Sequence, residues 1–183
     1  MTSAVSAPDL DALLPAATIT TAYAVTTADV PREVWVESVR VVRDAGAAFL
    51  DLLTAVDQSP GGFDVVARLW SVSGRWAVHV RTSCPREDPR VPTLTGVFAG
   101  AAWHEREIAE MYGVAFDGHP DPAPLLLVPG GVRHPLRKDH VLTARVELAW
   151  PGAVDPTDTG EAGRPSKRRL LPPGATLLPP GTT

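Results

Sequence analysis

Side chains able to do chemistry crowd into one stretch, residues 103–139, where Glu105, Glu107, Glu110, His119 and His134 fall among Arg106, Arg133, Arg137, Lys138 and Asp139. Three chemistries could use such residues. Paired carboxylates could share acid and base work, but Glu105 and Glu107 are two positions apart and leave a helix on different sides. Two histidines could hold a metal, but His119 and His134 each precede a proline, in backbone forced extended or turned, with no further ligand at fixed spacing. A cysteine could attack a substrate with His79 as base, but the single Cys84 stands before Pro85 at an expected strand end, with no helix N-terminus to lower its pKa. That lone cysteine also excludes an internal disulfide and an iron-sulfur cluster held by this chain's own thiolates. No G-x-G-x-x-G, P-loop, paired-cysteine spacing, H-E-x-x-H or nucleophile elbow occurs. The residues therefore nominate no catalytic, cofactor-binding or metal site.

The elements that must carry these residues are a helix and an extended segment. From Trp103 the pattern is helical, with Trp103, Glu107, Glu110 and Met111 on one face and Ile108, Met111 and Tyr112 as an apolar stripe, until Gly113 supplies a left-handed stop. In an assembly that covers this face, Glu107 is expected near apolar surface, where an ionised carboxylate requires a partner such as Arg137. Arg106 and Glu110 are four apart and can pair, worth about 0.2–0.5 kcal/mol on an exposed helix. Such a helix is a solvated face or a docking face, and spacing alone favours the former. Beyond it, the His119-Pro120 and His134-Pro135 steps send the chain across a surface. Leu125–Val128, bounded by Pro124 and Pro129, is too short for a helix, is barred from a sheet centre and calls for a hydrophobic groove. Arg133, His134, Arg137, Lys138 and His140 form a positive cluster that suits an acidic protein partner, a phosphate or plain water.

The scaffold reads as a small α+β domain. With 183 residues and 44% apolar content the chain can bury one core. Its net charge of −4 gives no footprint for nucleic acid, and no apolar run reaches bilayer length. Asp9 and Asp11 stand where a secretory signal would need a basic start and an apolar centre, so the expected compartment is the cytoplasm. Residues 1–17 read as flexible and irregular. Ile19–Val25 suggests a strand, Pro31 opens a helix carrying Trp35, Val39 and Val42 towards the core, and Gly46 ends it. Phe49–Val56 reads as a strand. Phe63–Val72 and Arg75–Arg81 form a hairpin about Ser73-Gly74, with Trp76, Val78 and Val80 inward and Arg75, His79 and Arg81 outward. A short helix is expected between Pro92 and Phe98. The domain then spans 18–115, a mixed or antiparallel sheet with helices on one face, followed by an extended segment at 116–150. Val141–Trp150 could be an edge strand or an arm. Residues 151–183 hold 7 prolines and 5 glycines and cannot form a core, with Lys167, Arg168 and Arg169 a basic clip or a solvating block.

One resemblance ties the charged stretch together. The order E-R-E, M-Y-G, F-x-G-H-P-D and H-P-L-R-K-D resembles the signature region of the C-type subunit of proton-pumping NADH-quinone oxidoreductase, the respiratory complex I family. Glu105, Arg106, Glu107, Met111, Tyr112, Gly113, Phe116, Gly118, His119, Pro120 and Asp121 match its first block, and His134, Pro135, Leu136, Arg137, Lys138 and Asp139 its second. The likeness runs back through Phe49–Asp57 and covers most of residues 30–140. Glu110 stands where the family usually has Asp, Ala123 and Pro124 replace arginines, Gly131 replaces Trp and Arg133 replaces Gly. The resemblance implies a cofactor-free structural component of a peripheral arm at the cytoplasmic face of the bacterial plasma membrane. It implies a large quinone-site partner of the D type and a small cluster-bearing partner of the B type, with iron-sulfur clusters, FMN and quinone held by other subunits. Glu105, Arg106, Glu107, His119, Pro120, His134, Pro135, Arg137, Lys138 and Asp139 are then expected to serve docking between subunits. The matching subunit of a membrane-bound hydrogenase or formate hydrogenlyase is an alternative within the superfamily. A small stand-alone enzyme built on the same glutamates and histidines is the unrelated one.

Overall fold

The computed structural model describes residues 8–128, 131 and 133–140. The compact unit closes at Lys138, and Asp139 and His140 are the described residues of a separate unit that starts there. The expected edge strand at Val141–Trp150 and the tail at 151–183 lie outside the described residues. So do residues 1–7, while Leu10–Leu13 within the segment read as irregular forms one helical turn, α1, capped by the Asp9 carboxylate.

Five strands make one sheet: β1 (Thr18–Ala22), β2 (Val25–Asp29), β3 (Phe49–Asp57), β4 (Gly62–Ser71) and β5 (Trp76–Pro85), in the order β1-β2-β5-β4-β3. All neighbours are antiparallel except β2 and β5, so the sheet is mixed. Where one strand was expected at Ile19–Val25, the structure has the hairpin β1–β2. Tyr23 and Ala24 form its two-residue loop, both at positive φ, as a primed turn requires. Neither residue advertises that geometry, since Asn and Gly are its usual occupants.

The β4–β5 hairpin carries the clearest alternation. Phe63, Val65, Ala67 and Leu69 pair across the strands with Cys84, Thr82, Val80 and Val78, all buried on one face. Leu53 and Ala55 of β3 extend that face. Gly74 is required in the connecting loop, because a Cβ there would lie 2.6 Å from the Trp76 indole and 2.8 Å from the Ser71 hydroxyl.

Helix α2 (Trp35–Asp44) lays Trp35, Val39 and Val42, fully buried, against β4 and β5. Pro31 does not open it directly, because a 3₁₀ turn at Arg32–Val34 comes first. The helix expected between Pro92 and Phe98 is a turn, with Val97 and Phe98 N–H both donating to the Leu94 carbonyl. Thr93 Oγ1 accepts the Thr95 N–H, and that local bond competes with a helical start. Two short parallel strands, β6 (Arg90–Pro92) and β7 (Ala115–Asp117), flank α3 (Ala101–Tyr112) as a small crossover unit. Helix α3 lies along β3, and Tyr112 meets Phe63 of the buried face edge-on at 6.2 Å. Both long helices thus cover one side of the sheet, and among the described residues no helix or strand covers the other.

Candidate functional site

Helix α3 buries Ala101, Glu105 and Ile108, the last a member of the expected apolar stripe. Glu105, not Glu107, is the buried carboxylate: it has no exposed surface, whereas Glu107 and Trp103 face solvent. The turn that follows β6 brings Glu105 its polar partners, Thr93 and Leu94. Its carboxylate accepts the Leu94 N–H at 2.6 Å and the Thr93 hydroxyl at 2.5 Å. Burial pushes its pKa up, with Thr93, Leu94 and nearby His119 pulling the other way.

From Gly118 the chain folds back along α3 as a strap whose described residues have no strand partners, and α3 side chains bind its backbone. Arg106 does not ion-pair with Glu110. It donates through Nε to the Ala123 carbonyl and through Nη2 to the Pro124 carbonyl, both at 2.7 Å. Glu110 accepts the N–H groups of Leu125, Leu126 and Leu127 at 2.8, 2.7 and 3.3 Å. Desolvation raises the Glu110 pKa, but those three backbone donors outweigh it and the net shift is downward. The run Leu125–Val128 is accordingly held by its backbone and not by a groove, leaving Leu126 and Val128 mostly exposed.

The histidines brace different turns of the helix. His119 Nδ1 accepts the Asp121 N–H at 3.0 Å, so Nε2 carries the proton and donates to the Ala102 carbonyl at 3.1 Å. His134, at positive φ, donates from Nδ1 to the Glu110 carbonyl at 3.1 Å. Ala102 and Glu110 are eight residues apart, about 12 Å along a helix, so the two rings share no metal position. Among the described residues no cluster of three or more His, Cys, Asp or Glu could hold a metal ion.

The strap ends on the sheet. Arg137 Nε donates to the Tyr112 carbonyl at 2.5 Å and its guanidinium lies 5.2 Å from the centre of the Phe63 ring, which Arg86 also covers at 4.9 Å. Asp57, at the end of β3, binds the Arg86 guanidinium and accepts the Lys138 and Ser59 N–H groups, each at 2.8 Å. Burial raises the Asp57 pKa, and these donors reverse it. Gly113 is the hinge that permits this: its φ is +75°, and a Cβ would sit 2.5 Å from Arg137 Nη2 and 2.9 Å from the His134 ring. Asp57, Phe63, Arg86 and Thr93 were not singled out as site residues. Asp57 and Arg86 are 29 residues apart, and no local pattern links them.

Of the ten residues expected at a docking surface, Arg106, His119, His134, Arg137 and Lys138 bond within the fold, the last through its backbone. Glu105 is sealed in, Pro135 is partly buried, Glu107 and Pro120 face water, and Asp139 opens the separate unit. Both imidazole nitrogens of His119 and both oxygens of Glu105 and Glu110 have hydrogen-bond partners within the fold. Cys84 is buried and its thiol is pushed up by burial, away from nucleophilic use.

Fold and site together define an α+β domain, a mixed five-stranded sheet whose last helix holds an irregular strap through side-chain-to-backbone bonds. The respiratory-chain NADH dehydrogenase 30 Kd subunit family matches residues 28–146. The chain belongs to that family. It is 38% identical over 136 residues to the C 2 subunit of NADH-quinone oxidoreductase from Rhizobium meliloti, covering 71% of this chain and 74% of that protein. It is 43% identical over 96 residues to the C subunit from Thiobacillus denitrificans, covering 52% and 46%. It is also 36% identical over 133 residues to a C/D subunit from Methylococcus capsulatus, covering 66% and 23%. The chain thus spans about half or less of the length of the latter two relatives. Among solved structures, a trypsin-resistant fragment of Nqo5 superposes with a TM-score of 0.55 at 29% identity, covering 61% of this chain and 93% of the fragment. A chain of an archaeal membrane-bound sulfane sulfur reductase superposes at 0.62 with 23% identity, covering 74% and 83%, and shows the shared fold.

Proposed function

We propose that this chain is a cofactor-free structural component of the peripheral arm of a proton-translocating NADH-quinone oxidoreductase, and that it works by holding its neighbours in register. The observation that carries the reading is the strap: three backbone N–H groups on one carboxylate and two backbone carbonyls on one guanidinium fix an otherwise ladderless segment against α3. A segment secured through its backbone turns its side chains outward, and Leu126, Val128 and Leu136 are 60%, 78% and 54% exposed beside Trp103 at 63%. Such a band suits burial against another protein.

In this reading the docking residues divide their labour. Glu105, Arg106, His119, His134 and Arg137 set the shape, while Glu107, Pro120, Pro135 and Lys138 line the contact, and Asp139, in the separate unit, is assigned to docking by itself. The neighbours are a large quinone-site partner of the D type, in keeping with the Methylococcus relative named as a C/D subunit, and a small cluster-bearing partner of the B type. FMN, iron-sulfur clusters and quinone belong to other subunits, and electrons bypass this chain. No helix among the described residues is long and apolar enough to cross a membrane, so attachment to the cytoplasmic face of the plasma membrane is through partners.

The matching subunit of a membrane-bound hydrogenase or formate hydrogenlyase is the second reading, supported by the fold shared with another respiratory membrane complex. Purifying the assembly through a tag on this chain separates them. NADH-dependent quinone reduction, with flavin and clusters in other chains, is the expected result. Hydrogen evolution would select the second reading, and a stoichiometric redox cofactor in the isolated chain would overturn both.

A further inference from the structure

The sheet face turned away from α2 and α3 carries an ordered apolar row at one end. Ala22 pairs with Val25, Trp70 with Ala77 and Phe49 with Trp70, while Val25 lies two residues back from the Thr27–His79 partnership and so falls level with Ala77. Partners across strands share a face, so Ala22, Val25, Ala77, Trp70 and Phe49 cross all five strands, about 19 Å at ordinary strand spacing. Val72 and Leu52 widen the row. Phe49, Val72 and Leu52 are 54%, 68% and 41% exposed, and Phe49, Trp70 and Val72, with Asp51 and Arg68, line a shallow concavity of 410 Å³.

The charges beside this row cancel within the face. Arg68 pairs with Asp51 at 3.3 Å and Arg81 with Asp29 at 2.9 Å, and between them burial and the two arginines hold the His79 pKa down. Asp64, at the far end, is satisfied by Gln58 and Ser83. The exception is Arg75, in the β4–β5 turn next to the row, which has no carboxylate within ion-pair distance among the described residues and stands exposed at positive φ. A neutral apolar strip with one unanswered cation at its edge loses little solvation when covered, and the cover it fits has a complementary make-up.

We propose that this open face is a second docking surface, and that its occupant is the apolar surface of another protein chain bearing a carboxylate opposite Arg75. The surface lies across the sheet from the strap, which would place this chain between neighbours on both sides. The inference needs an assembly but not its identity, since a hydrogen-evolving complex would test it equally well.

The test uses the full chain in its assembly with Val72→Cys, an exposed thiol in a protein whose one native cysteine is buried. Maleimide labelling is expected to be about tenfold or more slower in the assembly than in the free chain, as water-excluding contact requires. A photocrosslinker on that thiol is expected to join a single different protein chain. Arg75→Glu is expected to reduce that cross-link, and an acid-to-arginine change in the captured segment to restore it. Val72→Asp is the second variant: it should leave the circular dichroism of the free chain unchanged while lowering its recovery in the assembly. Equal labelling in both forms would overturn the proposal. So would a cross-link to a second copy of this chain, or protection of the free chain by phosphatidylglycerol vesicles.

Discussion

In the β4–β5 hairpin every register position answers its neighbour through the ladder, which leaves alternate side chains free to fill the core. Between His119 and Lys138 the described residues have no neighbouring strand, and side chains of α3 and β3 take over the ladder's duty. The first region is held by apolar burial and backbone pairing, the second by charge-assisted bonds from side chain to backbone. Charged residues at fixed spacing can therefore belong to architecture: in this chain they let an irregular segment keep one shape.

This contrast gives predictions of decreasing size. Leu69→Ala, deep in the sheet, should cost about 2–5 kcal/mol in denaturant unfolding and take sheet and strap down together. A loss well below that range would mean the sheet is not the principal source of stability. Glu105→Ala should cost about 1–3 kcal/mol in thermal or denaturant unfolding, because the buried Leu94 N–H loses its acceptor. Glu105→Gln keeps an acceptor there and should cost less.

Glu110→Gln should act locally. It weakens bonds worth about 0.5–1.5 kcal/mol each, so amide exchange at Leu125, Leu126 and Leu127 should quicken while exchange in β4 and β5 stays slow. Uniformly faster exchange would show that strap and sheet are one cooperative unit.

The smallest effect is one of sign. The Glu105 pKa is raised in the fold, so its contribution is full below the unfolded value of about 4.3 and is lost as pH rises through the folded value. The Glu110 pKa is lowered, so its contribution is present above that unfolded value and is lost as pH falls through the folded one. Measured by denaturant between about pH 3 and pH 7, wild-type stability minus that of Glu105→Gln should fall with pH, and the same difference for Glu110→Gln should rise. Slopes of equal sign would contradict the two environments.

Much of the scaffold was legible because it follows a period. The alternation of Trp76, Val78 and Val80, the helical stripe of Trp35, Val39 and Val42, and the stop at Gly113 all reappear in the structure. The β1–β2 hairpin was not, because Tyr23 and Ala24 adopt a turn that their side chains do not advertise. On α3 the apolar residues marked the right helix but did not reveal that Glu105 is its buried acid. Glu105 is inside because Thr93 and Leu94, more than ten residues earlier, satisfy its carboxylate, and helical periodicity is blind to such partners. The strap's bonds to α3 span 15 to 25 residues and involve backbone atoms, where residue type leaves no trace. Family resemblance picked out these residues, and the geometry supplied what each one touches.

On the proposed reading, the signature residues assemble the complex and do not react. The most direct test of that reading is the rate of NADH-dependent quinone reduction per assembled complex, for Glu107→Gln and Arg137→Ala, with assembly quantified separately by iron-sulfur signals. Less complex with an unchanged rate per complex is expected, Arg137→Ala being the more severe because its guanidinium binds the Tyr112 carbonyl and covers Phe63. A variant that assembled in full, with normal cluster signals, yet reduced quinone much more slowly per complex would contradict that reading.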